Sequence, residues 1–312
     1  MNLKRHVSIC FLILHYMDGE LTNKTIESVL NLNNFGNSQI VVVDNASPNG
    51  SGKLLKEKYM GMKEIHIILS ESNVGFSAGN NIGFQYIKNN FISDFIIAIN
   101  NDILFPQIDF IDKLNALYAE EPFWVAGPDV YVPHRYYHSS PMHDHPVKDQ
   151  EVRIFVARGE WEKRQLTKKF SLYVFKIYLR DCFGENILIR SLIKIKRFIK
   201  GQEVNYIKRN EGIVLQGSCL IFDKRYCEKN NNLFLPLTFM YGEEMLLTLR
   251  CIKNNWEIRY FPELLVWHMC NGSSKLAKLG YREYCKKRMI ILERCQEVNR
   301  IYMAQITVGN ED

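Results

Sequence analysis

The feature that most constrains this 312-residue chain is a regular alternation, over its first 130 residues, between short apolar runs and amphipathic stretches. Val7 to Leu14, Gln39 to Val43, Ile65 to Leu69, Phe95 to Ile99 and Trp124 to Val130 are runs of strand length, rich in Ile and Val. Between them lie helical patterns: Thr22 to Leu32, with Ile26, Val29 and Leu30 at helical spacing; Lys53 to Tyr59; a stretch that ends near Asn89; and a segment opened by Pro106. This alternation predicts an α/β fold, Rossmann-like, with a mostly parallel sheet flanked by helices on both faces. Such sheets bind ligands outside the carboxyl ends of their strands. Two of the runs end in acid there, one at Asp44 and one at Asn100-Asn101-Asp102.

From about Pro133 to Lys208 the pattern breaks. A His/Tyr/Pro loop leads into a basic region with apolar residues at helix-like intervals (Phe170, Val174, Ile177, Tyr178; then Ile189, Leu192, Ile193, Ile195), which reads as a helical insertion. A strand-like segment, Ile213 to Phe222, resumes the core. Glu243 to Asn254 reads as a helix, Ile258 to Phe261 as a short strand, and Ser274 to Met303 as mostly helix. The expected division is therefore 1–132 and 211–274 as two halves of one α/β domain, 133–210 as the basic helical insertion, and 275–312 as a C-terminal helical segment.

A hydrophobic content of 46% is enough to bury a real core. The eight cysteines form no CxxC pair, and several sit in apolar runs, so they read as reduced core residues of a cytoplasmic protein. No run reaches the roughly 18 apolar residues that a membrane span requires. The formal net charge of +6 is concentrated between Arg153 and Lys200. That block suits nucleic acid, an anionic membrane or a phosphorylated substrate, and no nucleic-acid module is recognisable to favour the first.

The residue types at the strand ends suggest their chemistry. Asp44 is placed to accept hydrogen bonds from a base or ribose, although Asp-Asn-Ala-Ser-Pro is equally good turn chemistry. The Asn73–Asn81 loop, with Gly75, Gly79 and Asn80, brings backbone near a ligand and precedes a helix whose first amides favour anions; a plain Gly-rich turn is the alternative. Asp102 is a hard-oxygen donor for Mg2+ or Mn2+, or else a cap of the next helix. Glu243 and Glu244 open a helix, where acids complement the dipole, and either can serve as a general base. His268 ends an apolar run as a ligand or as an ordinary buried histidine. His134, His138, His143 and His145 have no cysteine partner at zinc spacing and read as a polar loop.

Taken in order, VVVDNASPNGS, SNVGFSAGNNIGF, INND, LQGSCLIFDK, FMYGEEMLLTLR and YFPELLVWHMCNGSS resemble glycosyltransferase family 2, in its rhamnosyltransferase-like branch that builds bacterial surface polysaccharides such as capsule or O-antigen. The resemblance spans residues 7–130 and 212–274 and implies the GT-A fold. It also implies a set of roles. Asp44, Asn45, Ser47, Asn73, Gly75, Gly79, Asn80, Asn100 and Asn101 would bind the donor. Asp102, the last acid of a DXD-type motif, and His268 would hold a divalent metal, Mn2+ or Mg2+. Glu244 would stand at the catalytic-base position with Glu243 as its competitor, and Gly217 and Tyr241 would lie on the acceptor side. The family typically has Asp where Glu244 stands, and often a further acid where Leu246 stands.

The activity implied is inverting transfer of a sugar, rhamnose among the candidates, from a dTDP- or UDP-linked donor to a hydroxyl of a lipid-linked saccharide. The expected location is cytoplasmic; the basic insertion reads equally as a peripheral contact at the inner face of the plasma membrane or as a solvated helical hairpin packed on the core, and nucleic acid is not expected as a partner. The alternative implied by the Glu244 and Leu246 departures is a GT-A protein that binds nucleotide sugar without turnover inside an assembly complex.

Overall fold

The structure, a computed structural model, describes residues 7–142, 145–146, 160–183, 204–235, 242–269, 280–290 and 292–293. The chain divides into two compact units: 1–146, 206–239 and 243–271 form one, and 147–205, 240–242 and 272–312 the other. Contacts thus carry the first unit past residue 132, because the strand Val125–Val132 continues through a 3-10 turn into a short returning strand, Tyr137–Ser140.

The larger unit is built on one sheet. Its strands, in chain order, are β1 (Ile9–His15), β2 (Gln39–Asp44), β3 (Ile65–Leu69), β4 (Phe95–Asn100), β5 (Ile103–Leu104), β6 (Val125–Val132), β7 (Tyr137–Ser140), β8 (Asn210–Glu211), β9 (Cys219–Asp223) and β10 (Ile258–His268). They lie in the order β3-β2-β1-β4-β9-β6-β10-β5, with β7 on β6 and β8 on β10. The pairs β3-β2, β2-β1, β1-β4 and β6-β10 are parallel, whereas β9 runs antiparallel to both neighbours, β4 and β6. Two reversals cancel, so β6 and β10 point the same way as β1, β2 and β4. The carboxyl ends of β2, β4, β6 and β10, and the start of β9, therefore share one edge of the sheet.

Helices α1 (Gly19–Leu30), α2 (Ser51–Lys58), α3 (Gly75–Asn90) and α4 (Phe110–Glu120) connect the strands, followed after the insertion by α6 (Lys224–Lys229) and α7 (Glu243–Lys253); α5 is Leu172–Phe183 of the smaller unit. Successive residues of a strand serve opposite faces. In β1, Phe11 and Ile13 join a core with Ile26 and Val29 of α1 and Phe110 and Leu114 of α4. Cys10 and Leu12 join a second core with Phe84 and Ile87 of α3 and Leu247 and Cys251 of α7. Fully burying an Ile, Val, Leu or Phe contributes about 1.5–3 kcal/mol, which explains why the runs are apolar throughout.

Three boundaries differ clearly from the sequence reading. The Asn/Gly segment expected as a loop is already helix from Gly75. A Cβ at Gly79 would lie 2.6 Å from Leu14 Cδ1, and one at Gly83 would lie 2.2 Å from Leu12 Cδ1. The glycines let α3 sit close on β1, and that packing overrides their poor helix propensity. The strand expected from Ile213 begins only at Cys219, because 213–218 make an extended approach and a turn. Conversely, β10 continues to His268, with a register shift against β6 between Phe261 and Leu265.

In the smaller unit, helical residues 160–166 and 281–290 and α5 close around Val174, Ile177 and Tyr284, and Arg288 Nε donates to Glu162 Oε1. The sequence reading at Ile189 to Ile195 lies outside the described residues. Among the described cysteines, Cys10, Cys219, Cys227 and Cys251 are buried and free. Burial pushes the Cys10 and Cys251 thiols up to about 12, so they are inert core groups. No helix among the described residues is long and apolar enough to cross a membrane.

Candidate active site

Asp44 is the last residue of β2 and 6% exposed, and its place in the register is opposite His15 of β1. Its carboxylate is fixed from two sides. Oδ1 accepts from the amide and the hydroxyl of Ser47, and Ser47 Oγ also accepts from the Met17 amide at 2.8 Å. A Cβ at Gly52 would fall 2.0 Å from Asp44 Oδ2, so the missing side chain at the start of α2 is the seat of the carboxylate. Asn45 is engaged within the protein. Its Nδ2 donates to the Gly75 carbonyl and its Oδ1 accepts from the Val74 amide, tying the 73–75 turn to the tip of β2. Asn73 Oδ1 accepts from the Gly75 amide, and Gly75 takes a φ of +85°, which favours glycine.

His15, not singled out in the sequence, lies behind Asp44 and is fully buried. His15 Nδ1 lies 2.6 Å from Thr22 Oγ1, which donates to the Asp18 carbonyl, and Nε2 lies 2.8 Å from Ser51 Oγ, which donates to Asn49 Oδ1. Asp44 Oδ1 is 3.9 Å from Nε2. Burial holds this imidazole below its ordinary 6.5, outweighing the opposing pull of Asp44 and then Asp18. The unfolded chain, titrating at the ordinary value, takes a proton that the folded chain refuses. The stabilisation from neutral His15 is thus complete above about pH 6.5 and declines as pH falls towards the lowered folded value. Urea unfolding of wild type and His15→Asn should show a stability gap that is widest near pH 7.5 and narrows towards pH 5; a gap independent of pH would contradict this role.

At the end of β4, Asn100, Asn101 and Asp102 diverge. The Asn100 amide donates to the Ser218 carbonyl at 2.9 Å, joining this tip to the turn before β9. Asn101 Nδ2 donates to Thr22 Oγ1 (3.1 Å) and its carbonyl accepts from Thr25 Oγ1, so its side chain serves the start of α1. Asp102 is 4% exposed, and its Oδ1 lies 3.2 Å from His268 Nε2. The pairing of β5 with β10, His268 opposite Ile103, and the Met269 amide on the Asp102 carbonyl bring the two side chains together.

Gly217, expected on the acceptor side, meets Glu244, expected as the base. A Cβ at Gly217 would lie 2.8 Å from Glu244 Oε1 and 3.1 Å from Glu244 Cγ, so the Glu244 side chain lies over the turn whose next residue receives the Asn100 amide. Glu244 is half-buried and Glu243 buried. Thr248 Oγ1, which faces the carbonyls of Glu244 and Ile213, fastens the first turn of α7 to the strand approach. Asn80 donates to the Phe76 carbonyl, while its own buried Oδ1 has no hydrogen-bond partner. Tyr241 lies outside the described residues.

The structure thus brings Asp44, Asn100, Asp102, His268, Gly217 and Glu244 to one edge of the sheet, while Gly79 and the amides of Asn45 and Asn101 hold that edge in shape. The donor set of Asp102 and His268, one carboxylate oxygen and one imidazole nitrogen, fits a divalent cation such as Mn2+ that takes its other ligands from phosphate and water. Among the described residues no group of three or more His, Cys, Asp or Glu side chains gathers at one point. The sequence reading passed over three residues here: His15, Gly52 and Asp129, whose carboxylate oxygens each lie 2.8 Å from His138 Nδ1 near the end of β6. His15 was discoverable, since aligning the apolar runs of β1 and β2 sets it beside Asp44.

Residues 10–192 match the family model described as Glycosyl transferase family 2. No curated protein matches the sequence significantly. Among solved structures, S. aureus TarS 1–349 is similar at a TM-score of 0.51 and 11% identity, covering 90% of this chain and 65% of that one. The same protein in complex with UDP-GlcNAc matches at 0.51 and 13%, covering 91% and 66%. GalNAc-T7 with UDP, GalNAc and Mn2+ matches at 0.55 and 13%, covering 85% and 44%. The chain thus spans between under half and about two thirds of the structures it matches, and at these identities the likeness is one of fold.

Proposed function

Because the chain belongs to glycosyl transferase family 2 and has the GT-A fold, we propose that it transfers a sugar from a nucleoside diphosphate to an acceptor hydroxyl with the help of a divalent cation. The observation that carries this reading is the pairing of Asp102 Oδ1 with His268 Nε2 at 3.2 Å, on the strand edge that also holds Asp44 and Glu244. Asp44, its carboxylate held by Ser47 and the space at Gly52, accepts hydrogen bonds from the base or ribose of the donor. Asp102 and His268 would hold Mn2+ or Mg2+, and a cation bound there would supply the positive charge that a departing diphosphate requires. Asn80 Oδ1, buried with its acceptor capacity unused, is a further group for the donor.

Glu244 takes the acceptor proton as the hydroxyl oxygen attacks the anomeric carbon from the side opposite the diphosphate. A single displacement of this kind inverts the anomeric configuration. Glu244 is preferred to Glu243 as the base because it is the more exposed and lies over Gly217, whereas Glu243 is buried. The motif pattern supports the finer reading: a dTDP- or UDP-linked sugar, with rhamnose and a hexose both candidates, passed to a lipid-linked surface polysaccharide at the inner face of the plasma membrane. Two structures of similar fold were solved with UDP or UDP-GlcNAc, and one of them with Mn2+, which makes uridine nucleotides the first donors to try.

The test is a thermal-shift screen of dTDP- and UDP-sugars with and without Mn2+. A ligand that binds only the native state raises the midpoint, by the equivalent of about 2.7 kcal/mol at a hundred times its Kd. One nucleotide class should stabilise the protein, and only when metal is present. Stabilisation by no nucleotide sugar, or equal stabilisation after chelation, would contradict the proposal.

A further inference from the structure

The smaller unit presents a surface that the transfer chemistry leaves unused. Along α5 the buried residues Val174 and Ile177 turn inward on Tyr284. The exposed ones, Leu172, Lys176 and Leu179, stand at i, i+4 and i+7 and so form one stripe along the helix. Phe170, two residues before the helix, is exposed as well, with its ring 5.7 Å from that of Phe175 on the next turn, and Lys168 and Lys169 precede it in the chain, both exposed. Phe170 is 59% exposed, Leu172 61% and Leu179 37%. Water is a poor environment for three large apolar side chains exposed at one end and along one stripe of a helix, and such a group marks a contact surface.

The lysines identify what the surface meets. A partner must offer negative charge to Lys168, Lys169 and Lys176, and an apolar phase to Phe170, Leu172 and Leu179. Nucleic acid offers the charge without an apolar phase. A bilayer containing anionic lipid offers both, with charge at the headgroups and hydrocarbon a few ångströms below. We propose that this face of the smaller unit docks on an anionic lipid bilayer, with Phe170, Leu172 and Leu179 inserted beneath the headgroups and the three lysines set against them.

The experiment is co-sedimentation of the full chain with phosphatidylcholine vesicles, with and without phosphatidylglycerol, at low and high salt. Wild type should pellet with the phosphatidylglycerol vesicles at low salt and remain in solution with phosphatidylcholine alone. Replacing Lys168, Lys169 and Lys176 by Gln should lower the partition coefficient by roughly a hundredfold, at about fivefold for each lysine. Replacing Phe170, Leu172 and Leu179 by Ser should lower it by at least about tenfold. Both variants should keep the wild-type melting transition. Wild type that stays in solution, or variants that bind like wild type, would overturn the proposal. So would a wild-type dimer in sedimentation velocity that the Ser variant converts to monomer without any vesicle binding, because the face would then belong to a second copy. Vesicle binding is measured without turnover, so this outcome is independent of whether the chain transfers sugar.

Discussion

Asp102→Ala should abolish metal-dependent donor binding. Asp102 is almost wholly buried, and its carboxylate is set against His268 by the β5–β10 pairing. Removing it takes the only anionic group from that pair and leaves an imidazole, which alone is a weak anchor for a hard cation. In calorimetric titrations with UDP or dTDP in Mn2+, affinity should fall at least a hundredfold, about 2.7 kcal/mol. The residual binding should no longer respond to chelation. Asp102→Asn preserves the shape of the side chain but not its charge, and should fail in the same way while melting near wild type. This second variant separates loss of the site from loss of the fold. Full metal dependence in either variant would show that the cation is held elsewhere.

The second large effect is expected at Glu244. Glu244→Gln keeps the length of the side chain over Gly217 and removes only its basicity. Transfer should slow by about a hundred- to ten-thousandfold, the usual range for a lost general base. Donor affinity should stay within about twofold, because Asp44, proposed to bind the donor, and Asp102, proposed to hold the cation, lie on β2 and next to β4. A fall in kcat without a rise in donor KM is the signature of a group used only in the transition state. Glu243→Gln, at the buried neighbour, should leave kcat far closer to wild type. If instead the Glu243 variant is the inactive one, the two roles are exchanged. If wild type itself transfers nothing to any acceptor yet binds nucleotide sugar with metal, the protein is a binding module.

Much of this architecture was legible in the sequence because burial on two faces leaves a simple trace. The runs at Gln39 and Ile65 fall within a residue of the strands β2 and β3, and the acids that close the runs at Gln39 and Phe95 are at or just beyond the strand tips. What was not legible depends on contacts between distant residues. The start of α3 was hidden because Gly75 and Gly79 read as loop, and the fit of Gly79 against Leu14 and of Gly83 against Leu12 is what seats the helix on β1. The reversal of β9 leaves no mark in its composition, since a central strand is apolar whichever way it runs. Gly52 supports Asp44 by having no side chain, which no motif records. His15 looks like a stray polar residue after an apolar run until the register sets it opposite Asp44.

The division of labour among the asparagines has the same origin. The residues Asn45, Asn80, Asn100 and Asn101 look alike as polar groups near strand ends or a helix start. In the folded chain Asn45 ties down the 73–75 turn, Asn101 fastens α1, and Asn100 reaches the turn before β9 through its backbone. Asn80 alone among them keeps a buried acceptor unused. An amide side chain offers both a donor and an acceptor, so its partner is decided by the neighbours that folding supplies.

The most direct measurement is a crystal structure of the chain with UDP or dTDP and Mn2+, collected at a wavelength where manganese scatters anomalously. A single strong anomalous peak is expected in bonding contact with Asp102 Oδ1 and His268 Nε2, with the diphosphate on the same ion and the base or ribose against Asp44. A peak bonded to neither residue, or a nucleotide seated away from the tips of β2 and β4, would contradict it.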